Sequence, residues 1–70
     1  MTRWKLLNNM KVERARKNLT QEQLASLVGV TRKTINTIER GVFVPSTLLA
    51  LRIALALEVQ FKDLFSMQKE

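Results

Sequence analysis

An all-α fold of five short helices is what this 70-residue sequence predicts, and three features carry the prediction. Through residues 21–40, QEQLASLVGVTRKTINTIER, the apolar positions Leu24, Val28, Val30, Ile35 and Ile38 fall on one side when the segment is wound as helix, turn, helix. Thr20, Thr31 and Ser46 stand where helices would start, each able to accept a bond from an orphan backbone N–H. Gly29 and Pro45 punctuate the gaps, the first where the chain must reverse and the second as a sharp stop.

The elements follow in order. The first helix is predicted over residues 8–17 and the second over 21–28, with small Ala25 where two backbones approach and Gly29 at the turn. The third spans 32–39, the fourth 47–57 behind Pro45 and Ser46, and a short fifth 61–65 behind the weaker cap Gln60. Residues 2–6 alternate enough to form a short strand, and residues 66–69 are placed to pair with it, giving the helices a two-stranded antiparallel appendage.

Composition narrows the function. A chain of this length makes one domain, residues 1–70, with a marginal core that burial against a partner would help. With no cysteine or histidine, disulfides, thiolate or imidazole metal sites and the usual general base are all excluded, which suits a reducing cytoplasm. Residues 48–57 are the longest apolar run. Arg52 interrupts it, and it is about half of the ~20 residues that a membrane span requires. The basic start, MTRWKLLNN, lacks the apolar stretch and cleavage site of an export signal. Glu58 and Asp63 have no partner base and no glycine-rich phosphate cradle, so nothing points to an enzyme. Trp4, Phe43, Phe61 and Phe65 are scattered and form no stacking platform for single-stranded RNA.

The net charge of +6 is unevenly placed. Residues 1–40 hold nine Lys/Arg against three acids, whereas residues 41–70 hold three of each. A polyanion would meet the first half and leave the neutral half free for another task.

The stretches LTQEQLASLVGVTRKTINTIERG and VPSTLLALRIALAL resemble the Cro/CI-type helix-turn-helix family of bacterial and phage regulators, also called the xenobiotic-response-element family. The resemblance runs from about residue 8 to residue 65, and the overall layout is similar to small stand-alone members such as a cytolysin operon repressor. It implies a lambda-repressor-like domain that binds double-stranded DNA and regulates transcription, with no cofactor. An antitoxin or other protein-interaction module using the same fold is the alternative. No room is left for a sensory domain, so a small-molecule effector is not expected.

The resemblance also distributes roles. The third helix would enter the major groove, where Arg32, Lys33, Asn36 and Thr37 are the exposed candidates for base contact. Arginine and lysine suit guanine, asparagine suits adenine, and the threonine methyl suits thymine. Family base readers match Arg32, Lys33 and Thr37, while Lys33 and Asn36 can equally grip phosphates. Gln21 opens the second helix, where the family sets a glutamine against a phosphate, although it can also serve only its own helix cap. Thr31, Thr34, Arg40 and the backbone at Gly41 flank the reading helix as further phosphate contacts. Arg14 and Glu39 match an inward-facing ion pair of the family. Glu13 departs from the common apolar pattern, and Lys17 at i+4 is one partner in reach.

The fourth helix, TLLALRIALALE, is apolar around most of its circumference, and a small domain can bury only one stripe of it. With Leu49, Ala50, Ile53, Ala54 and Leu57 inward, Leu48, Leu51 and Leu55 point away. Together with Val59, Phe61 and Phe43 they make a candidate homodimer face unless the chain ends cover it.

Overall fold

A computed structural model describes residues 3–70. Strand β1 (Trp4–Asn8) leads into α1 (Met10–Arg16), followed by α2 (Gln21–Val28), α3 (Arg32–Glu39), α4 (Thr47–Leu57), α5 (Phe61–Leu64) and strand β2 (Phe65–Lys69). The three central helices have the bounds expected of them. The expected antiparallel appendage is also present, so five helices are joined by a two-stranded sheet in which Leu6 faces Met67 and Asn8 faces Phe65.

The chain ends differ from expectation by a small shift with a clear cause. Residues 2–6 were the expected strand, of which Thr2 lies outside the described residues, and β1 instead continues to Asn8. Asn8 is held in place because its Nδ2 donates to the Ile38 carbonyl at 3.0 Å while its Oδ1 accepts from the Met10 N–H at 3.1 Å. Asn8 pairs with Phe65 in the sheet and the Asn9 N–H donates to the Leu64 carbonyl at 2.9 Å, which keeps residue 8 in the strand and sets the start of α1 at Met10. At the far end Phe65 is extended and belongs to β2 rather than to the fifth helix.

Local chemistry sets the central boundaries. Thr20 and Gln23 form a reciprocal capping box, with the Gln23 N–H on Thr20 Oγ1 at 3.0 Å and the Thr20 N–H on Gln23 Oε1 at 2.8 Å. Gly29 ends α2 at φ +79°, where its N–H and that of Val30 both return to the Ala25 carbonyl. An added Cβ there would meet nothing within 4 Å, so glycine is required by the dihedral and not by crowding. Thr31 and Ser46 cap α3 and α4 by accepting from the Thr34 and Leu49 N–H groups. Gln60 makes no side-chain cap for α5.

Met10, Leu24, Ile35, Ile38, Ile53, Leu57 and Leu64 are the largest fully buried side chains, drawn from all five helices. Burial of each aliphatic side chain contributes about 1.5–3 kcal/mol. Around them α2 packs on α3 and α4, α4 packs on α5, and β2 packs on α5. This frame leaves the outer sides of α3 and α4 uncovered.

Candidate nucleic-acid interface

Helix α3 is divided sharply between its two sides. Ile35 and Ile38 are buried in the core, while Arg32 and Lys33 at the helix start are exposed. Both cations therefore project from the N-terminal turn of the helix, where a major-groove reading element carries its base contacts. Asn36 and Thr37 sit differently from these two. Each is half-buried, the Thr37 hydroxyl donates to the Thr34 carbonyl at 2.9 Å, and the Asn36 amide is bonded to its neighbours on both sides.

The flanking residues gather around this helix. Thr31 and Thr34 have their hydroxyls 3.1 Å apart at its start. At its end Arg40 is exposed, and its Nη1 donates to Asn36 Oδ1 at 3.3 Å. Gly41 at φ +76° turns the chain so that the Val42 and Phe43 N–H groups both donate to the Thr37 carbonyl.

Under this surface lies the expected ion pair. Arg14 reaches Glu39 with two bonds, Nε to Oε2 at 2.8 Å and Nη2 to Oε1 at 3.1 Å, and its Nη1 donates to the Leu19 carbonyl at 2.9 Å. The two side chains are only 15 % and 6 % exposed. The hydrogen bonds to Glu39 hold the guanidinium pKa above its ordinary value, outweighing the opposing effect of burial. Gln21 joins the pair, its Nε2 donating to Glu39 Oε1 at 3.1 Å, so α1, α2 and α3 meet at one carboxylate. Glu13 pairs with Arg16 at 3.4 Å and not with Lys17, because Lys17 is drawn away to Glu58 at the end of α4, 3.1 Å distant.

Residues 10–64 match the family model described as helix-turn-helix. The chain belongs to the Cro/CI-type helix-turn-helix family. It is 46 % identical over 63 residues to the HTH-type transcriptional regulator YgzD of Bacillus subtilis, covering 90 % of this chain and 96 % of that one. An HTH-type transcriptional regulator of Methanocaldococcus jannaschii is 48 % identical over 58 residues, covering 83 % of this chain and 88 % of its own. Among solved structures, the restriction-modification controller protein C.AhdI from Aeromonas hydrophila superposes with a TM-score of 0.73 at 33 % identity, covering 77 % and 78 % of the two chains. A candidate DNA-binding protein from Bacteroides fragilis gives 0.79 at 30 % identity, covering 87 % of this chain and 98 % of that one.

The helix-turn-helix unit is thus part of a DNA-binding transcriptional regulator. A second exposed region, apolar in character, is the outer face of α4. Leu48, Leu51 and Leu55 are 61 %, 50 % and 79 % exposed. The chain ends do not cover them, because β1 and β2 pair with each other and β2 packs on α5. Of the other residues proposed for this face, Val59 is half-buried against its own core, while Phe61 is exposed but packs against Phe65 with tilted rings whose centroids are 5.2 Å apart. Leu27, which sequence reasoning missed, is 63 % exposed and lines a shallow groove with Leu55, Ala56 and Arg52. Its signal in the sequence was an apolar residue on the outward side of α2. Among the described residues no helix is long and apolar enough to cross a membrane, and no cluster of metal-ligating side chains occurs.

Proposed function

We propose that this protein is a sequence-specific transcriptional repressor that binds an inverted-repeat operator in double-stranded DNA as a homodimer, in the cytoplasm. The observation that carries the reading is α3 itself, seated on the core by Ile35 and Ile38 with Arg32 and Lys33 exposed at its first turn. Arg32 and Lys33 read base edges, with the Thr37 methyl within the same groove. Gln21, Thr31, Thr34, Arg40 and the Gly41 backbone hold phosphates on either side and set the register. The excess positive charge of residues 1–40 supports this division of labour.

The bare apolar stripe of α4 supports the dimer. A second copy is the partner because one two-fold contact covers the stripe on both chains and presents two reading helices to one duplex. The likeness to a restriction-modification controller protein supports a regulatory role for so small a fold. Repression is the simplest output, since a bound dimer overlapping a promoter blocks transcription by occupancy alone.

Selection from random duplex DNA, followed by sedimentation of the protein at micromolar concentration, tests the whole reading. The expected outcome is a dimer and a two-fold-related site with half-site centres about one turn, roughly 34 Å, apart. Log affinity should fall with log salt by about 0.9 per neutralised phosphate. Equal affinity for every duplex would overturn the assignment, and a monomer that grips a single half-site tightly would overturn the dimer.

A further inference from the structure

The geometry points to Glu39 as a positioning residue for the DNA-facing amides, with Asn36 a link in that arrangement and not a base reader; this rests on the DNA-binding reading above. Four side chains form a line from the core outward: Glu39, Gln21, Asn36 and Arg40. Its two ends have fixed and opposite hydrogen-bonding character. A carboxylate only accepts, and a guanidinium only donates.

The consequence propagates inward from both ends. Glu39 Oε1, which also accepts from Arg14 Nη2, can face only a donor, so Gln21 turns its nitrogen toward it at 3.1 Å and its oxygen toward Asn36. That oxygen must in turn be met by a donor, and Asn36 Nδ2 lies 3.5 Å away. Asn36 Oδ1 is then left facing Arg40 Nη1, which can only donate, at 3.3 Å. The two outer contacts are long, and the order comes from the pinned ends. Turning either amide over would set donor against donor or acceptor against acceptor, so a single orientation satisfies all four groups.

This arrangement decides what each amide can offer to DNA. Each of the two nitrogens has one N–H committed within the line and one N–H left over. Gln21 and Asn36 are both half-buried, and so both remain reachable. A leftover N–H fits a phosphate oxygen, which only accepts, and Glu39 removes the alternative in which Gln21 would present its carbonyl to that anion. Reading adenine requires Asn36 Oδ1 and Nδ2 to meet one base edge together, an orientation that competes with the contacts they make to Arg40 and Gln21.

Three measurements on the full chain test the assignment. In nitrogen-resolved spectra of the free wild-type protein, the Gln21 side-chain amide should show one shifted proton with slowed exchange, and Glu39→Gln should return it to the free position. Solvent-like exchange of that amide in the wild type would overturn the proposal without touching the DNA reading. Asn36→Ala, passed through the random-duplex selection, should retain the wild-type consensus with affinity lowered evenly, on the order of tenfold. A changed preference at one base pair would instead make Asn36 a reader and overturn the proposal. Glu39→Gln, assayed where it remains folded, should lower affinity evenly with the consensus retained, and adding Gln21→Ala to it should cost little more, because both remove the same phosphate contact. A purely structural Glu39 would lower stability, and the two substitutions would then lower affinity independently. Should Glu39→Gln fail to fold, the wild-type spectra and Asn36→Ala still decide the matter. Wild-type protein that selects no sequence would overturn the DNA reading and this role together.

Discussion

Helices α3 and α4 lie in one small fold yet present opposite chemistry on their outer sides. In α3 the buried stripe is narrow, Ile35 and Ile38, and the remaining surface is cationic or tied into hydrogen bonds. In α4 the buried stripe takes Ala50, Ile53, Ala54 and Leu57, while Leu48, Leu51 and Leu55 remain bare and Arg52 is the only charge. Charged and polar groups can wait in water for an anion at little cost. A row of exposed leucines cannot, because every such side chain loses the free energy that burial would return. On the function proposed above, the contrast separates a face that serves a polyanion from a face that serves a second copy of the chain.

The largest test of this contrast lies within α4. Ile53→Ala, at a fully buried site, should destabilise the fold by about 2–5 kcal/mol in denaturant unfolding. A loss below about 1 kcal/mol would show that the inner and outer sides of α4 are less distinct than their exposures indicate. Next comes the ion pair beneath α3. Glu39→Ala should cost about 3 kcal/mol by leaving Arg14 shielded and unpaired, and an unchanged melting temperature would place the pair effectively at the surface.

On the DNA-facing side, Arg32→Ala should weaken the preferred site by about 1–3 kcal/mol and relax the choice of one base pair, as measured by competition titration. Gln21→Ala should weaken all sequences evenly; if the two variants exchanged these behaviours, readers and grips would have to be reassigned. Thr20→Ala removes the capping box at the start of α2 and should cost about 1 kcal/mol in thermal unfolding, with the selected sequence unaltered. The smallest effect on the isolated chain is expected from Leu55→Glu, within about 0.5 kcal/mol, although sedimentation should show the dimer lost. A dimer that survives this change would move the interface off α4, with Trp4, Phe43 and Val44 around another concavity the next place to look.

Much of this architecture was legible because its determinants are local. Thr20, Thr31 and Ser46 cap the helices from one residue away, and Gly29 supplies a left-handed turn that few other residues adopt. The inward side of α4 followed from spacing alone, apart from Leu49, which is only half-buried. The end of β1 and the start of α1 differ from expectation because Asn8 is fixed by the Ile38 carbonyl, thirty residues away. Val59, expected to be exposed, is half-buried for a similar reason, since its position depends on how α4 meets α5.

By itself the sequence determined the five helices, the turn between α2 and α3, the cationic first turn of α3 and the surplus of leucine on α4. Periodicity and capping act over a few residues, and charge is a property of composition. Only the tertiary structure decided the line from Glu39 through Gln21 and Asn36 to Arg40. It also sent Glu13 to Arg16 while drawing Lys17 to Glu58, and it left the leucines of α4 bare by pairing the chain ends with each other. Each of these depends on which of several chemically suitable partners is brought within about 3 Å, and helix packing sets that distance where residue type cannot.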